Sequence, residues 1–194
     1  ILEGGAADVV LSANRTYLEL LDEVGFAQPP TPIAGNALVM LARTGASLIP
    51  ETLADALRPG VRLVLSQPVT DPCGQYTRLA FQRAGLMAQL RAKGEWGELA
   101  FRRGSVALVE ALDQGEADVA VLYRSEAVHA RHTLIALSAP LDLADEIVFC
   151  ATVTTRSTER ETAEAFIAFL RGPDGQALLE AAGFRPLMRG QGAL

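Results

Sequence analysis

The chain has 194 residues, enough to bury a hydrophobic core as one ordinary domain or as two small lobes. Its net charge of −6 argues against a general nucleic-acid surface, because neutralising phosphates requires clustered Lys and Arg. Hydrophobic residues make up 49% of the chain, yet no apolar run approaches the roughly 20 residues that a membrane-spanning helix needs. We therefore expect no direct membrane insertion.

Apolar periodicity predicts strands that alternate with helices along the chain. The predicted strands are residues 7–12, 37–42, 61–66, 119–122, 132–137 and 147–153, and the predicted helices are 14–24, 49–57, 75–84, 159–171 and 172–182. Residues 28–35 hold three prolines and are predicted to form a loop. This alternation predicts an α/β fold with mostly parallel sheets.

The most informative stretch is residues 104–126, GSVALVEALDQGEADVAVLYRSE. Ser105 is placed as the N-cap of a helix that ends at Gly115, and a buried strand follows and stops at Tyr123. Open α/β sheets bind ligands at helix N-termini and at strand C-termini. We therefore expect this unit to present backbone dipoles to a small anion.

Two long apolar strands, 37–42 and 147–153, predict crossings between two lobes. The first lobe would contain residues 1–38 and 150–194, and the second would contain residues 39–149, with a ligand cleft between them. Residues 3–10 and 113–120 resemble each other, which marks either two related lobes or two similar helix–strand joints. Residues 1–5 resemble the end of a helix, so we expect the first lobe to be incomplete at its N-terminus.

No residue cluster predicts an enzyme, a metal site or a cofactor. His129 and His132 lie three residues apart in a polar segment without further ligands, which favours solvent exposure. Cys73 and Cys150 are interpreted as two unpaired small hydrophobes. Asp118 precedes a strand, where capping or solvation explains it better than chemistry.

Four segments carry a resemblance to a known family. They are EGGAADVVLSAN, TDPCGQYTRLAFQRAGL, QGEADVAVLYRSEAV and AFIAFLRGPDGQALLEAAGF. Together they resemble the molybdate-binding proteins of ABC transporters, which are periplasmic solute-binding proteins with the two-lobed type II fold. The resemblance implies a periplasmic protein that binds molybdate or tungstate and delivers it to the membrane subunit of an ABC transporter.

The same resemblance implies the site residues. The backbone at Cys73 and Gly74, the N–H near Ser105 and the hydroxyl of Tyr123 would hold a tetrahedral oxyanion through neutral donors. Ser12 ends the first predicted strand and is a less favoured contact. The serines that the family's first lobe contributes have no counterpart here, and Cys73 stands where a small residue such as Ala is usual.

Two other interpretations stay open at this point. The chain is alternatively the effector-sensing domain of a transcription regulator with the same fold, or a fragment that no longer binds a ligand. Which of the tetrahedral oxyanions would bind does not follow from the sequence.

Overall fold

The computed structural model describes residues 5–187. The strands are β1 (Val9–Ser12), β2 (Thr31–Gly35), β3 (Leu38–Ala42), β4 (Leu63–Ser66), β5 (Leu99–Arg102), β6 (Val119–Tyr123), β7 (Thr133–Ala136) and β8 (Val148–Val153). The helices are α1 (Arg15–Glu23), α2 (Pro72–Arg83), α3 (Met87–Glu95), α4 (Ser105–Asp113), α5 (Arg124–Ala127), α6 (Arg160–Arg171) and α7 (Pro173–Ala181). The α/β class predicted from the alternation is confirmed.

The chain divides into two compact units. The first contains Ile1–Asn36 and Asp145–Leu194, and the second contains Ala37–Ala144. Of the helix end expected at residues 1–5, residues 1–4 lie outside the described residues.

The first unit is built on a three-stranded antiparallel sheet in the order β1-β8-β2. The helix α6 packs on this sheet because one face of the helix is apolar. The core that they share consists of Ile33, Ala151, Val153, Ala163 and Ile167. This unit therefore has a small but continuous hydrophobic core of its own.

The loop predicted for residues 28–35 is wrong in its second half, where the chain forms β2. The prolines favoured a loop, yet Pro32 lies in β2, an outer strand of the described sheet. An edge strand tolerates proline because it has one side on which no ladder hydrogen bond is needed. The pairing with β8 shifts its register between Pro32 and Ala34.

The second unit is built on a five-stranded sheet in the order β5-β4-β6-β3-β7. Its pairings of β4 with β5 and with β6 are parallel, whereas β3 runs antiparallel to both β6 and β7. The prediction of mostly parallel sheets is therefore wrong for the described strands. The central strands β3 and β6 are buried at every position, and such apolar runs look alike in parallel and antiparallel sheets.

Two helical predictions also need correction. The helix predicted for residues 49–57 is reduced to one 3-10 turn, Asp55–Leu57. The helix α3 was not predicted, because its sequence MAQLRAKGE has a weak apolar stripe. Lys93 of α3 is fully buried and donates hydrogen bonds from Nζ to the Arg58 carbonyl at 2.8 Å and to Glu98 at 3.0 Å.

The five-stranded sheet is anchored at one end by Asp118, which directly precedes β6. Its carboxylate accepts hydrogen bonds from the Arg62 backbone and guanidinium and from Arg43, at distances between 2.8 and 3.0 Å. Hydrogen bonding to Arg62 holds the pKa of Asp118 well below its usual range. A carboxyl whose pKa is lowered by folding stabilises the protein above its unfolded pKa, and this contribution is lost as the pH falls. Asp118 is thus a structural ion-pair centre rather than a cap or a solvated residue.

Both cysteines are buried and free, as the sequence suggested. Among the described residues, no helix combines the length and the apolar character needed to cross a membrane.

We predict that Asp118→Asn lowers the free energy of unfolding by about 2–4 kcal/mol, because it leaves two guanidinium groups without their shared carboxylate. Urea unfolding measures the change as a lower midpoint at an unchanged slope. Glu19→Gln is the matched control, since it removes the same charge from an exposed pair with Arg15 and should change stability by less than about 0.5 kcal/mol. Equal losses in both variants would contradict the role given to Asp118.

Candidate anion-binding site

The helix α2 begins at Pro72, three residues before the predicted start at Gln75. Asp71 is the N-cap, and its Oδ1 accepts a hydrogen bond from the Cys73 N–H at 2.9 Å. Proline suits the first helical position because it has no N–H to leave unsatisfied and its φ is already helical. Cys73 and Gly74 therefore lie within the first turn of α2 rather than in a loop before it.

The second oxygen of Asp71 reaches a different helix. Its Oδ2 accepts a hydrogen bond from the Gly104 N–H at 3.3 Å. Gly104 is the N-cap of α4 and has φ 81° and ψ 153°, a conformation that is essentially restricted to glycine. Ser105 is consequently the first residue of α4, and its predicted role as the N-cap is wrong.

Gly74 lies against the backbone that follows β4. A Cβ atom at this position would stand 2.3 Å from the Gln67 carbonyl oxygen and 2.7 Å from that of Ser66. Any side chain would push α2 away from the end of β4, because the obstructing atoms belong to the backbone. The absence of a side chain at Gly74 therefore fixes how closely α2 approaches the sheet.

Tyr123 ends β6 and is 4% exposed. Its ring lies 6.5 Å from that of Tyr76 on α2, at an interplanar angle of 60°. Burial, together with the nearby Cys73 and Tyr76, raises the pKa of the Tyr123 hydroxyl. Tyr123 is therefore a neutral hydrogen-bonding group at every physiological pH.

The side chain of Cys73 packs inward. It is 4% exposed and interacts with the Thr77 side chain and the Tyr123 backbone. Burial raises the pKa of its thiol well above the usual value. Cys73 is thus a small buried group between α2 and the end of β6, and its backbone N–H donates to Asp71.

Glu126 on α5 lies near Asp71, Ser105 and Tyr123. Its carboxylate accepts hydrogen bonds from the Ser105 side chain and from the Tyr123 backbone, and Asp71 is close enough to repel it. Burial is the largest cause that raises the pKa of Glu126. Neither Asp71 nor Glu126 was predicted as a site residue from the sequence. The Asp-Pro step before α2 is a recognisable capping signal for Asp71, whereas no local pattern marks Glu126.

The four predicted site residues thus lie in one region of the second unit, around Asp71 and Glu126. They do not share one concave surface. Gly74 lines an apolar groove of about 300 Å³ beneath α2 and α3, whereas Ser105 lines a hollow of about 400 Å³ beside Glu126. Ser12 belongs to the first unit, where its hydroxyl donates to the Asn14 carbonyl at 2.9 Å.

The two histidines differ in their surroundings. His129 is exposed, as expected. The side chain of His132 is only 6% exposed: its Nδ1 accepts a hydrogen bond from the Thr44 N–H, and its Nε2 lies 3.2 Å from Asp113. The expectation of solvent exposure is therefore wrong for His132, because it packs between β3 and α4. Over residues 5–187, no group of three or more His, Cys, Asp or Glu side chains is arranged to hold a metal ion.

The chain is similar to proteins whose family is known. The family model of the bacterial extracellular solute-binding proteins matches residues 1–185. The chain belongs to this family. Its members are solute-binding proteins, which confirms the expectation that the chain is not an enzyme.

The relatives include molybdate-binding proteins. The ModA protein of Escherichia coli is 27% identical over 191 residues, which cover 94% of this chain and 72% of that protein. The ModA protein of Mycobacterium tuberculosis is 26% identical over 188 residues, which cover 95% of this chain and 67% of that protein. The structure of the periplasmic molybdate-binding protein of Azotobacter vinelandii superposes with a TM-score of 0.81 at 22% identity, covering 96% of this chain and 81% of that one. The fold of this solute-binding protein is accordingly the type II periplasmic binding fold.

We predict that Gly74→Ala destabilises this solute-binding protein by about 1–3 kcal/mol, because the new methyl group overlaps backbone atoms that have no room to move. Thermal or urea unfolding measures the change. Gly94→Ala is the matched control at an exposed position in the last turn of α3, where the nearest atom to a new Cβ lies 3.8 Å away. That variant should not lose stability, and helix propensity should give it a gain of at most about 0.5–1 kcal/mol. A neutral Gly74→Ala would contradict the close approach of α2.

Proposed function

We propose that this chain is the solute-binding component of an ABC importer, and that it binds the tetrahedral oxyanion molybdate or tungstate. Its relatives include proteins named for molybdate binding, at 26–27% identity over almost the whole chain. The contacts would come from the backbone at Cys73 and Gly74, from the N–H and hydroxyl of Ser105 and from the hydroxyl of Tyr123.

The observation that carries the proposal is the convergence of two helix N-termini on one carboxylate. The N–H groups of Cys73 on α2 and of Gly104 before α4 both donate to Asp71. A carboxylate is itself an oxyanion, so the protein already directs its backbone donors at negatively charged oxygen in this region. The remaining N–H groups of the two first turns are oriented in the same sense, because all N–H groups of a helix point towards its N-terminus.

Helix dipoles explain how an acidic protein would attract a dianion. Each helix N-terminus carries a partial positive charge of about half a unit, fixed in place by the backbone. The helices α2 and α4, of 12 and 9 residues, are long enough to present this field. Tyr123 adds a neutral donor, because the raised pKa of its hydroxyl keeps the proton in place.

The proposed site also contains acceptors. Asp71 and Glu126 lie among the donors, so the site is not the purely neutral set that the sequence suggested. An ionised carboxylate repels a dianion, and a buried one does so more strongly because the local dielectric is low. The two carboxylates would therefore weaken oxyanion binding unless a proton is bound.

The family supports a proposal for the location and the partner. We infer that the protein acts in the periplasm and delivers its solute to the membrane subunit of the transporter. Neither a cofactor nor a nucleic acid takes part in this function.

Isothermal titration calorimetry of the intact chain with molybdate, tungstate and sulfate tests the proposal. We expect 1:1 binding of molybdate and tungstate with a micromolar or lower Kd, about 8 kcal/mol of binding free energy or more. Sulfate, which is smaller, should bind more weakly. The absence of heat with all three anions would overturn the proposed function.

Tyr123→Phe should weaken molybdate binding by about 1–2 kcal/mol, a 5- to 30-fold rise in Kd, because one hydrogen-bond donor is lost while the ring stays packed. Titration of the purified variant measures the change, and its urea midpoint tests whether the fold is intact. The matched control is Tyr17→Phe. Tyr17 is a half-exposed residue of α1 in the first unit, so the loss of its hydroxyl should leave the Kd unchanged. An unaltered Kd in Tyr123→Phe would remove Tyr123 from the site.

A further inference from the structure

Glu126 occupies an unusual position for an acidic residue. It lines the 400 Å³ hollow together with Ser105, and its carboxylate accepts the hydrogen bond of the Ser105 side chain. Its Oε2 atom is buried and makes no hydrogen bond to any residue of the described chain. Buried carboxylate oxygens are normally hydrogen-bonded or paired with a cation, because an isolated charge is costly to remove from water.

The surroundings of Glu126 add negative rather than positive charge. Asp71 repels its ionised form, and the Cys73 thiol and the Tyr123 phenol are buried groups near enough to interact electrostatically with it. The titratable and charged groups near it on the neighbouring elements are Asp71 and Cys73 before and on α2, Glu110 and Asp113 on α4, Tyr123 on β6 and His129 beyond α5. Burial and Asp71 both raise the pKa of Glu126, so the proton is bound more tightly than in an exposed glutamate.

The protonation state of Glu126 decides what the Ser105 hydroxyl offers to a ligand. A serine hydroxyl carries one hydrogen. While Glu126 is ionised, that hydrogen is directed at the carboxylate, and Ser105 presents only lone pairs to an approaching oxyanion. A protonated Glu126 can instead donate its own hydrogen to Ser105 Oγ, which leaves the serine hydrogen free to donate to the anion.

We propose that oxyanion binding at Ser105 is coupled to the uptake of one proton by Glu126, which thereby positions the Ser105 donor and sets the pH range of binding. This inference rests on the proposed function of the site. The proton comes from solvent and forms an O–H bond on the Glu126 carboxyl group, and no other bond is made or broken. The bound dianion and the proton together bring one net negative charge into the site instead of two.

Linkage gives the sign of the pH dependence. A ligand that binds with uptake of one proton binds more tightly as the pH falls, with a limiting change of about tenfold in Kd for each pH unit above the pKa of Glu126 in the free protein. Below that pKa the proton is already present, and the Kd becomes independent of pH. Tight binding should therefore extend from mildly acidic conditions up to the pKa of Glu126 and decline above it.

Calorimetric titration of the intact chain with molybdate, in two buffers of different ionisation enthalpy at each pH, measures the number of protons taken up. We expect close to one proton per anion at a pH above the pKa of Glu126 and a Kd that rises with pH. Glu126→Gln, whose amide donates to Ser105 as a protonated carboxyl would, should bind molybdate with no proton uptake and a flat pH profile.

Glu110→Gln is the matched control, since Glu110 lines the same hollow and the substitution removes the same charge. That variant should retain the proton uptake of the wild-type chain. Molybdate binding by the wild-type chain without proton uptake at every pH at which the protein stays folded would overturn the inference and leave the proposed function intact, and so would undiminished uptake in Glu126→Gln. Failure of every oxyanion to bind at any pH would instead overturn the proposed function and, with it, this inference.

Unfolding supplies a readout that needs no ligand. A carboxyl whose pKa is raised by folding stabilises the protein below its unfolded pKa, and this contribution is lost as the pH rises through the folded pKa. Glu126→Gln should therefore have a higher urea midpoint than wild type at neutral pH, and the advantage should shrink in acid. A lower midpoint for the variant at neutral pH would contradict a proton-binding role for Glu126.

Discussion

The geometry of the candidate site depends on one shared acceptor, the carboxylate of Asp71. It accepts a hydrogen bond from the first turn of α2 and another from the residue that caps α4, so it fixes the spacing of the two helix N-termini. Gly74 and Gly104 make this arrangement possible, the first because a side chain would collide with the end of β4 and the second because of its glycine-only conformation. At the end of β6, the ring of Tyr123 packs against that of Tyr76 on α2.

Two carboxylates of the second unit illustrate how the environment determines the role of an acidic residue. Asp118 lies before β6 and pairs with the guanidinium groups of Arg43 and Arg62. These two ion pairs compensate its charge and link the ends of β3, β4 and β6. Glu126 lies just after β6, where burial and Asp71 favour its neutral form. The same strand thus has a charged and stabilising residue at its start and, beyond its end, the residue for which we propose proton uptake. Only the latter is suited to respond to an anion.

Much of the fold could be predicted from local pattern, because helices such as α1, α6 and α7 and the buried strands β3 and β6 carry strong periodicity or apolar runs. Strand direction could not, since a strand buried on both faces looks the same whichever way its neighbour runs. The strand β2 was missed because a proline such as Pro32 is tolerated only in a strand at the edge of a sheet. Whether a strand lies at the edge depends on the tertiary structure and cannot be read from the local sequence. In the site, the Ser105 and Tyr123 positions followed from the ends of α4 and β6. The roles of Asp71 and Glu126 did not, because each depends on partners that are distant in sequence or on burial.

The most direct test of the central claim is a crystal structure of the intact chain grown with tungstate, in which anomalous scattering locates the tungsten atom. The account predicts one strong tungsten peak. The oxygen atoms bound to that tungsten should lie within hydrogen-bonding distance of the first turn of α4 at Ser105 and of the Tyr123 hydroxyl. A peak in the apolar groove beneath α2 and α3, a peak on the first unit away from these groups, or diffuse surface peaks alone would contradict it.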